Sequence, residues 1–274
     1  MTCTYLSGGT PLAYTETGSG LPMVFLHPTP LDHAYWRPLI ELLSGVRAIV
    51  PDLRGHGASQ LGSSLPVGLF SPVPDAPVLT MEQLAADVLA LLDHLELKQA
   101  IFVGCSIGGY VLLELWRQAP QRMRGLAFIC SKPQPDPESN QVKRAATIAQ
   151  ARAHGVEALF DGSQSLIGAT ARKHHPQIVT ELRSRMKLTP EAMVAVQAGL
   201  ATRPDSLPTV ATITAPVLAI AGGEDPASPP ADMEAFRSAP GGCQFHLVPN
   251  AGHFAAYEEP QAVAVLLSAW LKQF

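Results

Sequence analysis

The sequence predicts an α/β fold, a mostly parallel sheet with helices on both faces and a helical insertion. Three observations carry this. Short, almost uninterrupted apolar runs recur along the chain, as strands covered on both faces require. Longer segments with apolar residues at helical spacing lie between them, and strands alternating with helices build parallel sheets. One interval, from about 132 to 208, breaks the alternation and holds only helix-like segments.

The strand candidates are PMVFL (22–26), VRAIV (46–50), QAIFVG (99–104), GLAFIC (125–130), APVLAIAG (215–222) and CQFHLV (243–248). Between the second and third, TMEQLAADVLALLDHLEL (80–97) spaces Leu84, Val88, Leu91, Leu92 and Leu95 as one helix face. Thr80 and Gln83 form its capping box. The closing helix starts at Pro260, just after Glu258 and Glu259, and carries Val263, Leu266, Leu267, Trp270 and Leu271 on one face. The strandless interval contains SNQVKRAATIAQARAHG, VEALFDG, HHPQIVTELRSRMKL and PEAMVAVQAGLATRP, bounded by SKPQPDPE and RPDSLP. The expected division is a core of residues 1–131 and 209–274 with a helical cap, 132–208, inserted in it. QLGSSLPVGLFSPVPDAP (60–77) has four prolines and no periodicity. A loop of this length forms a surface insertion or borders a functional opening.

Composition excludes several classes. A chain of 274 residues fits one large domain or a core with an insertion, and 47% hydrophobic residues supply a core rather than disorder. A net charge of −4 leaves no basic footprint for nucleic acid. MTCTYLSGGT lacks the cationic start and apolar stretch of a signal peptide, and no apolar run reaches the ~18 residues of a membrane helix. Cys3, Cys105, Cys130 and Cys243 lie far apart without a CxxC, so free thiols in a reducing cytoplasm are expected, with neither disulfides nor a zinc site. The isolated His174–His175 pair suggests no metal.

VGCSIGGYV (103–111) sets a thiol beside a hydroxyl, between the strand AIFV and the helical pattern YVLLELW. A nucleophile elbow crowds its backbones, so the residues two before and two after the nucleophile must be small. Centred on Ser106 these are Gly104 and Gly108; centred on Cys105 they would be the β-branched Val103 and Ile107. The frame selects Ser106. A serine hydroxyl is a weak nucleophile and needs a base with an orienter. NAGHFAAYEEP offers His253 after the last strand, and AGGEDPASPP offers Asp225 after VLAIA; Glu224 and Asp136 compete for the orienting role. Both loops follow the carboxyl ends of strands, where open α/β sheets bind ligands, and the order Ser–Asp–His is that of hydrolases built on such sheets. The other eight histidines, His56 in the turn Arg54–Gly57 among them, read as structural or surface. Asp32, Tyr35 and Trp36 either line the pocket or pack the first helix, and Trp116 and Phe160 read as core rather than substrate contacts. An oxyanion hole needs two N–H donors: the amide of Ile107, and one from the loop HPTP (27–30).

Together, LHPTP, PDLRGHGAS, GCSIGG, GGEDP and AGHFAAYEEP resemble the α/β-hydrolase superfamily from about residue 12 onward. The compact cap and ATRPDSLPTVATITAPVLAIAGGEDPASPP are most similar to the esterase and lactonase branch that includes 3-oxoadipate enol-lactonases. The resemblance implies an eight-stranded, mostly parallel sheet under a helical lid. It makes Ser106 the nucleophile, His253 the general base, Asp225 its orienter, and Thr29 and Ile107 the sources of the oxyanion amides. The implied activity is hydrolysis of a small or medium ester or lactone through an acyl-enzyme, with no cofactor or metal. Two alternatives are a hydroxynitrile-lyase-like C–C lyase and a slow-turnover ligand sensor. The chain departs from the family's His-Gly-x-Pro at His27-Pro28-Thr29-Pro30. Pro28 and Pro30 stiffen Thr29, which either aims its amide at the site or turns it away, and the Thr29 hydroxyl is a substitute donor.

Overall fold

The computed structural model describes residues 2–274. Eight strands form one sheet: β1 (Thr2–Ser7), β2 (Thr10–Gly18), β3 (Leu21–Leu26), β4 (Val46–Pro51), β5 (Ala100–Cys105), β6 (Met123–Ile129), β7 (Val217–Gly222) and β8 (Cys243–Val248). Their order is β1-β2-β4-β3-β5-β6-β7-β8. The β1–β2 and β2–β4 pairs are antiparallel, and every later pair is parallel.

The six apolar runs are β3 through β8. β1 and β2 are not apolar runs, because they form an antiparallel hairpin at the sheet edge, where β1 exposes alternate residues. Alternation of side chains across the sheet divides the core in two. Met23 and Phe25 join one apolar cluster with Val263, Leu267 and Trp270 of the closing helix, Pro260–Leu271. Val24 and Leu26 join the other with the helices Met81–His94 and Ile107–Gln118. Thr80 caps the first of these by accepting from Gln83 N–H at 3.2 Å. The reciprocal half of the box does not form, because the Gln83 amide turns to Asp87 Oδ1 at 3.0 Å.

Between β6 and β7 the described residues form helices joined by loops, with no strand, the longest elements being Glu138–His154 and Pro190–Ala201. The 60–77 stretch has neither helix nor strand. None of its residues lines the cleft that holds Ser106; Leu61 to Leu65 border a separate surface cleft instead. Tyr35 and Trp36 are fully buried, and Phe160 and Trp116 are buried too, so all four pack the core.

Candidate active site

The turn at 104–109 is made by close backbone approach. A Cβ on Gly104 would lie 2.5 Å from the Gly108 carbonyl carbon, and one on Gly108 would lie 2.2 Å from the Leu26 oxygen. Ser106 sits between β5 and the helix Ile107–Gln118 with φ 53° and ψ −118°, a region that L-residues avoid and that concentrates at functional sites. Its N–H donates to Ile129 O at 3.2 Å, and its carbonyl accepts from Gly109 N–H and the Ser131 hydroxyl, both at 2.9 Å. The conformation is thereby held from β6, the segment just after it and the helix. Cys105 points the other way, fully buried, with its Sγ accepting from the Tyr35 hydroxyl at 3.3 Å. Burial drives its thiol far above the ordinary range, so no thiolate forms there.

Asp225 and His253 follow β7 and β8, and their side chains meet: His253 Nδ1 lies 2.9 and 3.0 Å from the two carboxylate oxygens. A carboxylate only accepts, so Nδ1 carries the proton and Nε2 keeps its lone pair. Asp225 Oδ1 also accepts from Ala227 and Ser228 N–H at 2.8 and 3.1 Å. Burial raises the Asp225 carboxyl, but His253 and these two amides outweigh it and hold it below the usual range. The competing acids are engaged elsewhere. Glu224 accepts from the Thr170 N–H and hydroxyl, and Asp136 lies between Arg144 and Arg203, each 2.6 Å away.

Ser106, His253 and Thr29 line one cleft of about 730 Å³, walled on its far side by helices of the 138–201 region. Among the described residues no hydrogen bond joins the Ser106 hydroxyl to the imidazole; such contacts are commonly long before substrate binds. Ile107 opens its helix, so its N–H has no intrahelical acceptor. Thr29 reaches the cleft wall, yet its hydroxyl is 2.9 Å from His56 Nε2. His56 Nδ1 faces the Arg54 carbonyl at 3.0 Å and must be its protonated nitrogen. The ring is buried and neutral, its pKa pushed down to about 3 by burial first and by His27 second. Thr29 therefore donates to His56, and its hydroxyl proton is not available as the substitute oxyanion donor.

Two further features were not read from the sequence. The cleft is lined by four cationic side chains, Lys132, Lys143, Arg144 and Arg203, against two carboxylates, Asp136 and Asp232. Glu258, which reads as a charge preceding a helix, is 4% exposed and accepts three main-chain N–H bonds around His253. Among the described residues no group of three or more His, Cys, Asp or Glu is arranged to hold a metal, and no helix is long and apolar enough to cross a membrane.

The chain as a whole is similar to known proteins. Over 243 residues the chain is 31% identical to 3-oxoadipate enol-lactonase 2 of Acinetobacter baylyi, covering 81% of this chain and 78% of the lactonase. A thermophilic esterase from Thermogutta terrifontis superposes with a TM-score of 0.89 at 30% identity, over 100% of this chain and 98% of the esterase. The enol-lactonase from Burkholderia xenovorans LB400 gives 0.86 at 25% identity, over 98% and 100%. A sequence profile of the alpha/beta hydrolase family matches residues 23–266. With that match spanning β3 to the closing helix, the chain belongs to the alpha/beta hydrolase family.

Proposed function

We propose that this protein is a serine hydrolase that cleaves a small or medium carboxylic ester or lactone. The observation that carries the reading is the Asp225–His253 Nδ1 hydrogen bond beside Ser106, strained at the elbow, in one cleft. The bare Nε2 takes the Ser106 proton as Oγ attacks the carbonyl carbon, and Asp225 stabilises the imidazolium that forms. The tetrahedral oxyanion rests on the Ile107 N–H, aided by the positive end of its helix, and on the Thr29 N–H. Collapse expels the alcohol, which takes its proton from His253; in a lactone the alcohol stays tethered to the acyl group. Water, deprotonated by the same imidazole, releases the acid. The helices between β6 and β7 act as a cap over the cleft.

The acyl group carries an anionic substituent. Four cations against two carboxylates leave the cleft positive, and an anion there gains charge-assisted hydrogen bonds. The enol-lactonase relative takes its name from the dicarboxylate 3-oxoadipate, and the Thermogutta esterase was solved with malate bound.

Incubation with a fluorophosphonate followed by mass spectrometry tests the nucleophile. A single adduct on Ser106, with hydrolysis of p-nitrophenyl butyrate abolished in Ser106→Ala, is expected. An unmodified Ser106, or full activity in the variant, overturns the reading. Preference for mono-p-nitrophenyl succinate over the butyrate tests the anionic acyl group.

A further inference from the structure

The triad explains His253 and Asp225 but not why a carboxylate is buried beside them. Glu258 is 4% exposed, has no cationic side chain as a hydrogen-bond partner, and is spent wholly on main-chain amides. Its Oε2 accepts from Gly252 N–H at 2.8 Å and its Oε1 from Phe254 N–H at 3.0 Å, the residues on either side of His253. Oε2 also accepts from Gly168 N–H at 2.9 Å, in a turn of the helical segment above the cleft. The same turn returns a bond: the Leu166 carbonyl accepts from His253 N–H at 2.8 Å. Two residues on, the Thr170 N–H donates to Glu224, the neighbour of Asp225, at 2.8 Å. Turn 166–170 is thus tied to both loops that carry the candidate base and its orienter.

The approach is as close as two backbones allow. A Cβ on Gly252 would lie 2.3 Å from Gly168 N, and one on Gly168 would lie 2.8 Å from Gly252 N and 2.9 Å from Glu258 Oε2. A carboxylate without a countercharge is costly to bury, and burial does push the Glu258 carboxyl upward, against the three amides and His253. A purely apolar packing residue would avoid that cost but leave three buried N–H groups unpaired.

We propose that Glu258 is a positioning residue for His253, clamping the main chain on both sides of the histidine to turn 166–170, so that the imidazole is held in register only while the turn is docked. The inference rests on the role of His253 proposed above. Glu258 touches neither substrate nor the reacting atoms; it acts through the backbone that carries the base. Undocking the turn removes the Leu166 acceptor from His253 N–H and one of the three bonds of Glu258 together, so movement of the segment above the cleft is transmitted to the catalytic histidine.

The test compares the wild-type chain with Glu258→Gln and Gly168→Ala on p-nitrophenyl acetate, a substrate too small to need the far wall. Active sites are counted by fluorophosphonate titration, so that misfolded molecules do not dilute kcat. Misplacement of a base by a fraction of an ångström lowers turnover by roughly 10–100-fold. That loss is expected in kcat per titrated site for both variants, with KM little changed and fluorophosphonate labelling slowed in parallel. If Glu258→Gln does not fold, Gly168→Ala, which keeps the carboxylate but displaces the turn, decides alone. Wild-type kcat per site and wild-type labelling rate in a folded variant overturn the inference. A wild-type chain that neither hydrolyses the ester nor takes label on Ser106 overturns the underlying hydrolase reading instead.

Discussion

Thr29 gives its hydroxyl proton to His56, across 2.9 Å, and so fastens the loop 27–30 to the turn after β4. A second tie runs alongside it: His27 Nε2 accepts from Leu53 N–H at 2.9 Å. Thr29→Val removes the side-chain donor to a buried ring nitrogen, and an unpaired acceptor of that kind costs about 1–3 kcal/mol. Thr29→Ser keeps the donor and is expected to keep wild-type stability. Urea unfolding of the two variants checks this; equal stabilities would show that the hydroxyl contributes nothing.

The same ring makes the fold sensitive to acid. His56 in the folded protein has a pKa of about 3 against an ordinary 6.5, so between these values the unfolded chain binds a proton that the folded chain refuses. Stability is intact above pH 6.5 and declines as pH falls from 6.5 towards 3, at a slope of about 1.4 kcal/mol per pH unit from this residue. His27, edge-to-face with His56 at 5.1 Å between ring centroids and shifted the same way by burial, adds to the decline. His56→Asn should flatten the curve of urea midpoint against pH over this window. Identical slopes in variant and wild type would count against it.

Cys105 adjoins the candidate nucleophile in sequence but not in chemistry. In the native protein iodoacetamide is expected to spare Cys105 and Cys130, both buried, and to leave turnover unchanged; any adduct falls on half-buried Cys3 or Cys243. Peptide mapping decides, and an alkylated Cys105 in folded protein would contradict the buried thiol.

Asp225→Asn offers His253 an amide in place of a carboxylate, leaving the geometry but not the charge that fixes the tautomer. By the precedent of serine proteases, kcat falls by roughly 10²–10⁴, with KM little altered. Steady-state kinetics on p-nitrophenyl butyrate measures it, and a loss below tenfold would remove Asp225 from its proposed role.

The sequence was most readable where burial is uniform and least where it depends on a distant partner. β3 to β8 announce themselves because both their faces are covered, whereas β1 and β2 share their burial with solvent and read as polar. Ser106, Asp225 and His253 stand at strand ends within short motifs, so the fold's topology brings them to one end of the sheet, where Asp225 and His253 touch and Ser106 shares a cleft with His253. Glu258 escaped notice because its burial is created by Gly168, ninety residues earlier. Asp136 competed for the orienting role because its two arginines are distant in sequence, Arg144 in the helix Glu138–His154 and Arg203 in the loop after Pro190–Ala201. Thr29 was placed at the cleft, but the use of its hydroxyl depended on which nitrogen of His56 the Arg54 carbonyl claims.

The positive φ of Ser106 has a consequence for how the molecule ages and evolves. Holding a non-glycine residue there stores about 1–3 kcal/mol, which only glycine releases, less what its looser unfolded chain returns. The hydroxyl of the candidate nucleophile is therefore kept at the expense of thermal endurance. A chain freed from the need for turnover would gain heat resistance by a single serine-to-glycine exchange, and the serine persists only where its chemistry is in use.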